Sequence, residues 1–117
     1  MTIQRGGIYI ADLNPAHGTE PGKTRPVVVV QTDLLNQASH PSTIVCPLTT
    51  RVRKNAPLFR VPVPKEMSGL SEDSDILVDQ IRAIDNRRLR TFAGKLPPKK
   101  MVELLTSLKL ILDMGWV

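Results

Sequence analysis

Hydrophobic positions in this chain come in short runs, broken by Pro, Gly and polar clusters, until one longer pattern near the C-terminus. Residues 8–13 (Ile-Tyr-Ile-Ala-Asp-Leu) predict a strand closed by the Asn14-Pro15 turn signal. Residues 27–31 open with four valines, too short and too β-branched for a helix, and predict a strand buried on both faces. Residues 43–49 and 58–63 predict two more, Pro47 implying an edge position or a bulge and Pro62 a place near an edge. Residues 76–84 predict the longest strand and 90–96 a short one. Between these two, Asp85 caps a single helical turn.

A helical period appears only at the end. Met101, Leu104, Leu105, Leu108, Ile111 and Leu112 recur at three- and four-residue steps after the Pro97-Pro98 start signal. The expected fold is mainly β with a C-terminal helix, a small curled sheet or barrel with the helix packed against it. At 117 residues the chain predicts one domain, residues 1–117, with a core that needs no disulfide. Its apolar runs are strand-length, so none predicts a membrane span, and the N-terminus leads into a strand pattern rather than a signal peptide. The single Cys46 sits in an apolar run and reads as a small buried hydrophobe of a reduced, cytoplasmic protein.

Charge narrows the partner. The net charge is +5 and the pI about 9.8, which favours an anionic ligand such as nucleic acid. With only Tyr9, Phe59, Phe92 and Trp116 as aromatics, a broad base-stacking platform is not expected. Charge and hydrogen bonds would have to carry recognition. The segment 18–31 is the most informative: a polar loop with two glycines delivers Arg25 to the start of the valine strand. Arg is permanently charged and its planar fork matches phosphate oxygens. The bland alternative is an arginine paired with a surface carboxylate.

Other candidates are Thr49-Thr50 at the end of a strand, followed by the basic run Arg51-Val52-Arg53-Lys54. If residues 76–84 form one strand, Gln80 and Arg82 project side by side to read a base edge or hold a phosphate. The same pattern also fits a buried pair between Arg82 and an aspartate, and both readings stay open. His17 and His40 fall in separate loops. The sequence has no HExxH, paired CxxC, Walker loop or acidic metal constellation, so no metal or other cofactor is expected. Phosphodiester chemistry here would be built on Arg rather than His.

These motifs together resemble the MazF/PemK toxins, sequence-selective endoribonucleases of bacterial toxin–antitoxin pairs. The resemblance runs nearly end to end: Arg5-Gly6, Asp12-Leu13-Asn14-Pro15, Gly18-Thr19-Glu20 with Arg25-Pro26-Val27, Pro47-Leu48-Thr49-Thr50, and residues 79–85 (Asp-Gln-Ile-Arg-Ala-Ile-Asp). It implies an SH3-like barrel forming a homodimer, neutralised by a MazE-like antitoxin whose acidic tail covers the RNA groove. It also implies metal-free cleavage of single-stranded RNA by attack of a ribose 2′-OH, leaving 2′,3′-cyclic phosphate and 5′-OH ends. Carried over by position, Arg25, Thr49 and Glu20 are the catalytic candidates. Arg25 would stabilise the phosphorane, Thr49 would hydrogen-bond it or aid proton transfer, and Glu20 would act as base or fix Arg25. Thr19, Lys23, Thr50, Asp79, Gln80 and Arg82 are the RNA-binding candidates. Some members place histidine before the Arg-Pro pair; here it is Thr24, which leaves the base unassigned.

Two rivals share the architecture. CcdB-type poisons of DNA gyrase use a C-terminal Trp-Gly pair, whereas this chain ends in the reverse order, Gly115-Trp116-Val117. Trp116 reads instead as a tail packed on the barrel or dimer surface. A silent RNA- or peptide-binding module would keep the charge but need no Arg25 and Thr49 together.

Overall fold

The computed structural model describes residues 2–15, 17–20, 22–56 and 59–115. The strands are β1 (Gly7–Asp12), β2 (Thr24–Val29), β3 (Ser42–Thr49), β4 (Arg60–Val63), β5 (Ser74–Leu77), β6 (Arg82–Asp85) and β7 (Leu89–Lys95). The α-helices are α1 (Asp33–Gln37), α2 (Lys65–Ser68) and α3 (Pro98–Ile111). Strand order is β4-β5-β3-β2-β1-β7, with β6 also paired to β3 and every pairing antiparallel. The expected mainly-β fold with a C-terminal helix is thus observed. The barrel-like sheet is open, with β4 and β7 at its two ends.

The valine run is buried on both faces, as its continuous apolar character predicts. Val28 packs with Ile8, Cys46, Leu48, Ile76 and the α3 residues Leu104 and Leu108. Its neighbours Val27 and Val29 face the other way, toward Tyr9, Leu13, Val45 and Ile84. Cys46 is fully buried, and desolvation pushes its thiol up to about 12. The strand itself begins three residues earlier than expected and ends at Val29. Arg25 therefore lies inside β2, opposite Ala11 of β1, rather than just ahead of the strand's mouth. Beyond the strand the buried Gln31 side chain takes over pairing. Its amide donates to the Ser42 carbonyl at 3.1 Å and accepts from the Ile44 N–H at 3.2 Å.

The single strand expected at 76–84 is broken. Ile76 pairs with Leu48 and Arg82 with Val45, so six steps of chain lie against three steps of β3. The surplus residues form a 3-10 turn over Val78–Gln80. This turn lets one edge of β3 receive two strands in succession, and it cancels the alternation that set Gln80 beside Arg82. Pro47 lies in that gap, between the stretches paired with β6 and β5. A residue without an N–H is tolerated there inside a central strand, so the edge expectation for Pro47 is not met. Pro62 does sit on the end strand β4.

The turn capped by Asp85 is observed over Asn86–Arg88, with Arg87 N–H donating to Asp85 Oδ1 at 2.8 Å. Helix α3 begins at Pro98 and buries Leu104 and Leu108, with Met101 and Leu105 half-buried against the same core. Ile111 and Leu112, expected in that stripe, are exposed. Helices α1 and α2 were not expected. Thr32 caps α1, its hydroxyl accepting from Leu34 N–H at 3.3 Å. Helix α2 ends at Gly69 in the left-handed conformation (φ +83°). Gly94 of β7 passes so close to α2 that a Cβ there would collide with the Ser68 carbonyl oxygen. The residue Leu58 expected in β4 and the C-terminal Trp116 lie outside the described residues.

Candidate active site

Register brings the main candidates together. Val27 lies opposite Pro47 and Val29 opposite Val45. Continued by two residues, the same register sets Arg25 opposite Thr49. Paired residues of an antiparallel ladder share a face, so both side chains emerge on one side of the sheet. There they line an open pocket of about 260 Å³ with Lys23, Thr24, Thr50 and Arg51. Pro26 and Leu48 complete its wall.

Several hydrogen bonds set this geometry. Lys23 adopts a left-handed backbone (φ 64°), uncommon outside glycine. Its N–H donates to Asn14 Oδ1 at 2.7 Å and its carbonyl accepts from Leu13 N–H at 2.9 Å. These bonds close the base of the 14–23 connection. Arg25 Nε donates to the Gly22 carbonyl at 2.9 Å, which fixes the root of the guanidinium while its fork stays available. Thr49 Oγ1 accepts from Arg51 N–H at 3.2 Å, so its own proton is free to be donated elsewhere. Burial lowers the Arg25 pKa from its ordinary value, and the nearby charge of Arg51 lowers it further. A half-desolvated arginine beside other cations gains more from an anion than one in bulk water.

The remaining candidates divide. Lys23 and Thr50 line the pocket. Glu20 and Thr19 are exposed on the 14–23 connection and are not part of its lining. Asp79 and Gln80 belong to the 3-10 turn and Arg82 to β6, none of them in the pocket wall. Arg82 lies opposite Val45, four residues from Thr49 along β3 and on the same sheet face. At about 3.3 Å per residue that is roughly 13 Å away. Its Nη1 is buried with no hydrogen-bond partner among the described residues. The alternative pairing of Arg82 with an aspartate is not found among them; the buried pair is Arg60–Asp75 instead, at 3.0 Å. Arg51, which the sequence offers only as one member of a basic run, is the pocket residue that pattern alone underrated. Both histidines are exposed. Among the described residues no three His, Cys, Asp or Glu side chains gather as a metal site would require.

The sequence from residue 4 to 112 matches the family described as the PemK-like, MazF-like toxin of type II toxin–antitoxin systems. This chain belongs to that family. Solved structures agree with the assignment. MazF from Deinococcus radiodurans is 27% identical over 97% of this chain and 99% of its own, with a TM-score of 0.82. The MazE-MazF complex from the same organism gives 27% identity, coverage of 98% and 99%, and a TM-score of 0.78. An endoribonuclease from a mycobacterial species shares the fold at 21% identity, covering 100% and 97%, with a TM-score of 0.76. The sequence resemblance to MazF/PemK toxins is therefore upheld by fold and family alike. In this MazF-like toxin, the pocket at the start of β2 and the end of β3 brings together Arg25 and Thr49, the two residues to which the resemblance carried over a catalytic role.

Proposed function

We propose that this toxin is a sequence-selective endoribonuclease that cuts single-stranded RNA without a metal ion. The carrying observation is the convergence of Arg25 and Thr49, distant in sequence, on one cationic pocket. The ribose 2′-oxygen attacks the adjacent phosphorus, its proton passes to a base, and the P–O5′ bond breaks as the 5′-oxygen gains a proton. The products are a 2′,3′-cyclic phosphate and a 5′-OH. Arg25 offers a fork to the non-bridging oxygens as charge grows on them, and Thr49 offers a hydroxyl proton. Glu20 is the candidate base or the carboxylate that orients Arg25, although it stands outside the pocket wall. Lys23 and Thr50 would hold the reacting phosphate, and Thr19, Asp79, Gln80 and Arg82 would contact flanking nucleotides. Arg82 stands on the same sheet face as Thr49, which favours that role.

The partners follow from the same surface. The MazE-MazF relative is a complex of toxin and antitoxin, and the basic balance here suits an acidic antitoxin tail laid over the RNA groove. Exposed Leu110, Ile111, Leu112 and Met114 at the end of α3 suit burial in a homodimer. No described helix is long and apolar enough to cross a membrane, and the proposed site of action is the cytoplasm. The test is cleavage of a long defined single-stranded RNA in excess EDTA, with Arg25→Ala alongside. Cuts at one short motif with cyclic-phosphate ends, lost in the variant, are expected. A folded wild type that cuts nothing would sink this reading and point to gyrase inhibition or to a silent binding module.

A further inference from the structure

The basic run leaving β3 is tied down as far as Arg53. Arg51 N–H donates to Thr49 Oγ1 at 3.2 Å and Arg53 N–H to Asp75 Oδ2 at 2.9 Å. Arg60 Nη1 donates to both the Arg51 carbonyl, at 2.8 Å, and Asp75 Oδ2, at 3.0 Å. Asp75 is only 1% exposed and lies opposite Thr49 in the β3–β5 ladder. A buried ion pair is an expensive way to hold two strands, since an apolar pair of similar volume does so as well or better. What this pair adds is a hydrogen bond on each side of residue 52. Those two bonds fix the path of the chain through residues 51–53, and with it the root of the exposed Arg51 side chain at the pocket wall.

We propose that Arg51 is a second phosphate-binding cation of the Arg25–Thr49 pocket, set in place by the buried Asp75–Arg60 pair. Its substrate is taken from the RNA-cleaving function proposed above. Two guanidiniums, one on β2 and one just past the end of β3, can grip one phosphate from two sides or two successive phosphates of one RNA strand. Asp75 and Arg60 touch no substrate and act as positioning residues.

The experiment measures binding of a mixed-sequence 2′-deoxy oligonucleotide, which lacks the nucleophile and cannot be cut, across a range of NaCl concentrations. Arg51→Gln is expected to flatten the log–log salt slope by about 0.7, the share of one phosphate on a single strand. Arg51→Lys should restore most of that slope. The paired neutralisation Asp75→Asn with Arg60→Gln strands no charge and should flatten the slope by the same amount. On an Arg51→Gln background it should add nothing further. An unchanged slope in Arg51→Gln, or a wild type that does not bind the oligonucleotide, overturns the proposal. An Asp75/Arg60 effect that persists without Arg51 overturns the positioning role. If the neutralised pair does not fold, the apolar replacement Asp75→Val with Arg60→Met takes its place; failure of both assigns the pair to stability alone and equally overturns positioning. A wild type that binds with the expected slopes but cuts no RNA sinks the nuclease reading and leaves this inference standing.

Discussion

Strands β2 and β3 are built differently at their two ends. At one, Val27, Val28 and Val29 face Pro47, Cys46 and Val45, and all six are buried. Two residues further along the same ladder stand Arg25 and Thr49, half-exposed at the wall of a cationic pocket. One end is held by packing on both faces; the other uses that rigidity to aim polar groups. In the proposed enzyme, positioning and chemistry would thus be separated by about 7 Å along the same strands.

Substitutions should respect that division. Arg25→Ala is expected to cost about 10²–10³ in cleavage rate, as removal of one preorganised donor does. The melting temperature should stay close to wild type, because the lost cation was partly desolvated and surrounded by other cations. A fall in melting temperature matching the rate loss would erase the distinction. Val28→Ala works in reverse: about 1.5–3 kcal/mol of stability should go with the buried side chain. Cleavage per folded molecule should hardly change, as read by chemical denaturation beside single-turnover rates. Gly94→Ala, remote from the pocket, should cost about 1–3 kcal/mol by forcing β7 off α2, again with activity retained.

Smaller effects test the electrostatics. Cys46 keeps its proton when folded until about pH 12, while an unfolded thiol loses it near 8.5. The folded state therefore holds the proton across that window, and stability should decline as pH rises through it. Iodoacetamide at pH 8 should label the native protein far more slowly than the denatured one; equal rates would show the core strand to be open. The smallest change is expected at the exposed Asp85. Its hydrogen bonds from Arg87 hold its carboxyl down at about 2, so its contribution is present above about pH 4 and lost as pH falls toward 2. Asp85→Asn keeps the cap and should shift the melting temperature at pH 7 only slightly, with the difference vanishing in acid. A difference that grew in acid would contradict the assigned hydrogen bonds.

Much of this was legible without coordinates because it depends on local pattern. The valine run demanded burial on two faces, the Pro-Pro start and leucine spacing demanded α3, and Asp85 demanded a capped turn. The pairing of Arg25 with Thr49 was legible only as a motif of the MazF/PemK family. Helices α1 and α2 escaped because four or five residues carry no period, though Thr32-Asp33 and the Pro64 and Gly69 brackets were signals of them.

What the sequence determined by itself is the inventory: which segments are apolar enough to pair, where the chain must turn, and that cations outnumber anions. Tertiary structure decided which strand lies beside which. The break at Val78–Gln80 arises because β3 needs two partners along one edge, a requirement no alternation within residues 76–84 could express. Asp75 reads in sequence as one more polar residue before an apolar run. It becomes the buried partner of Arg60 because β4 and Thr49 of β3 meet it from opposite sides, thirteen or more residues away along the chain. Hydrophobic pattern acts over neighbouring residues, whereas register and charge pairing are settled only when distant strands meet.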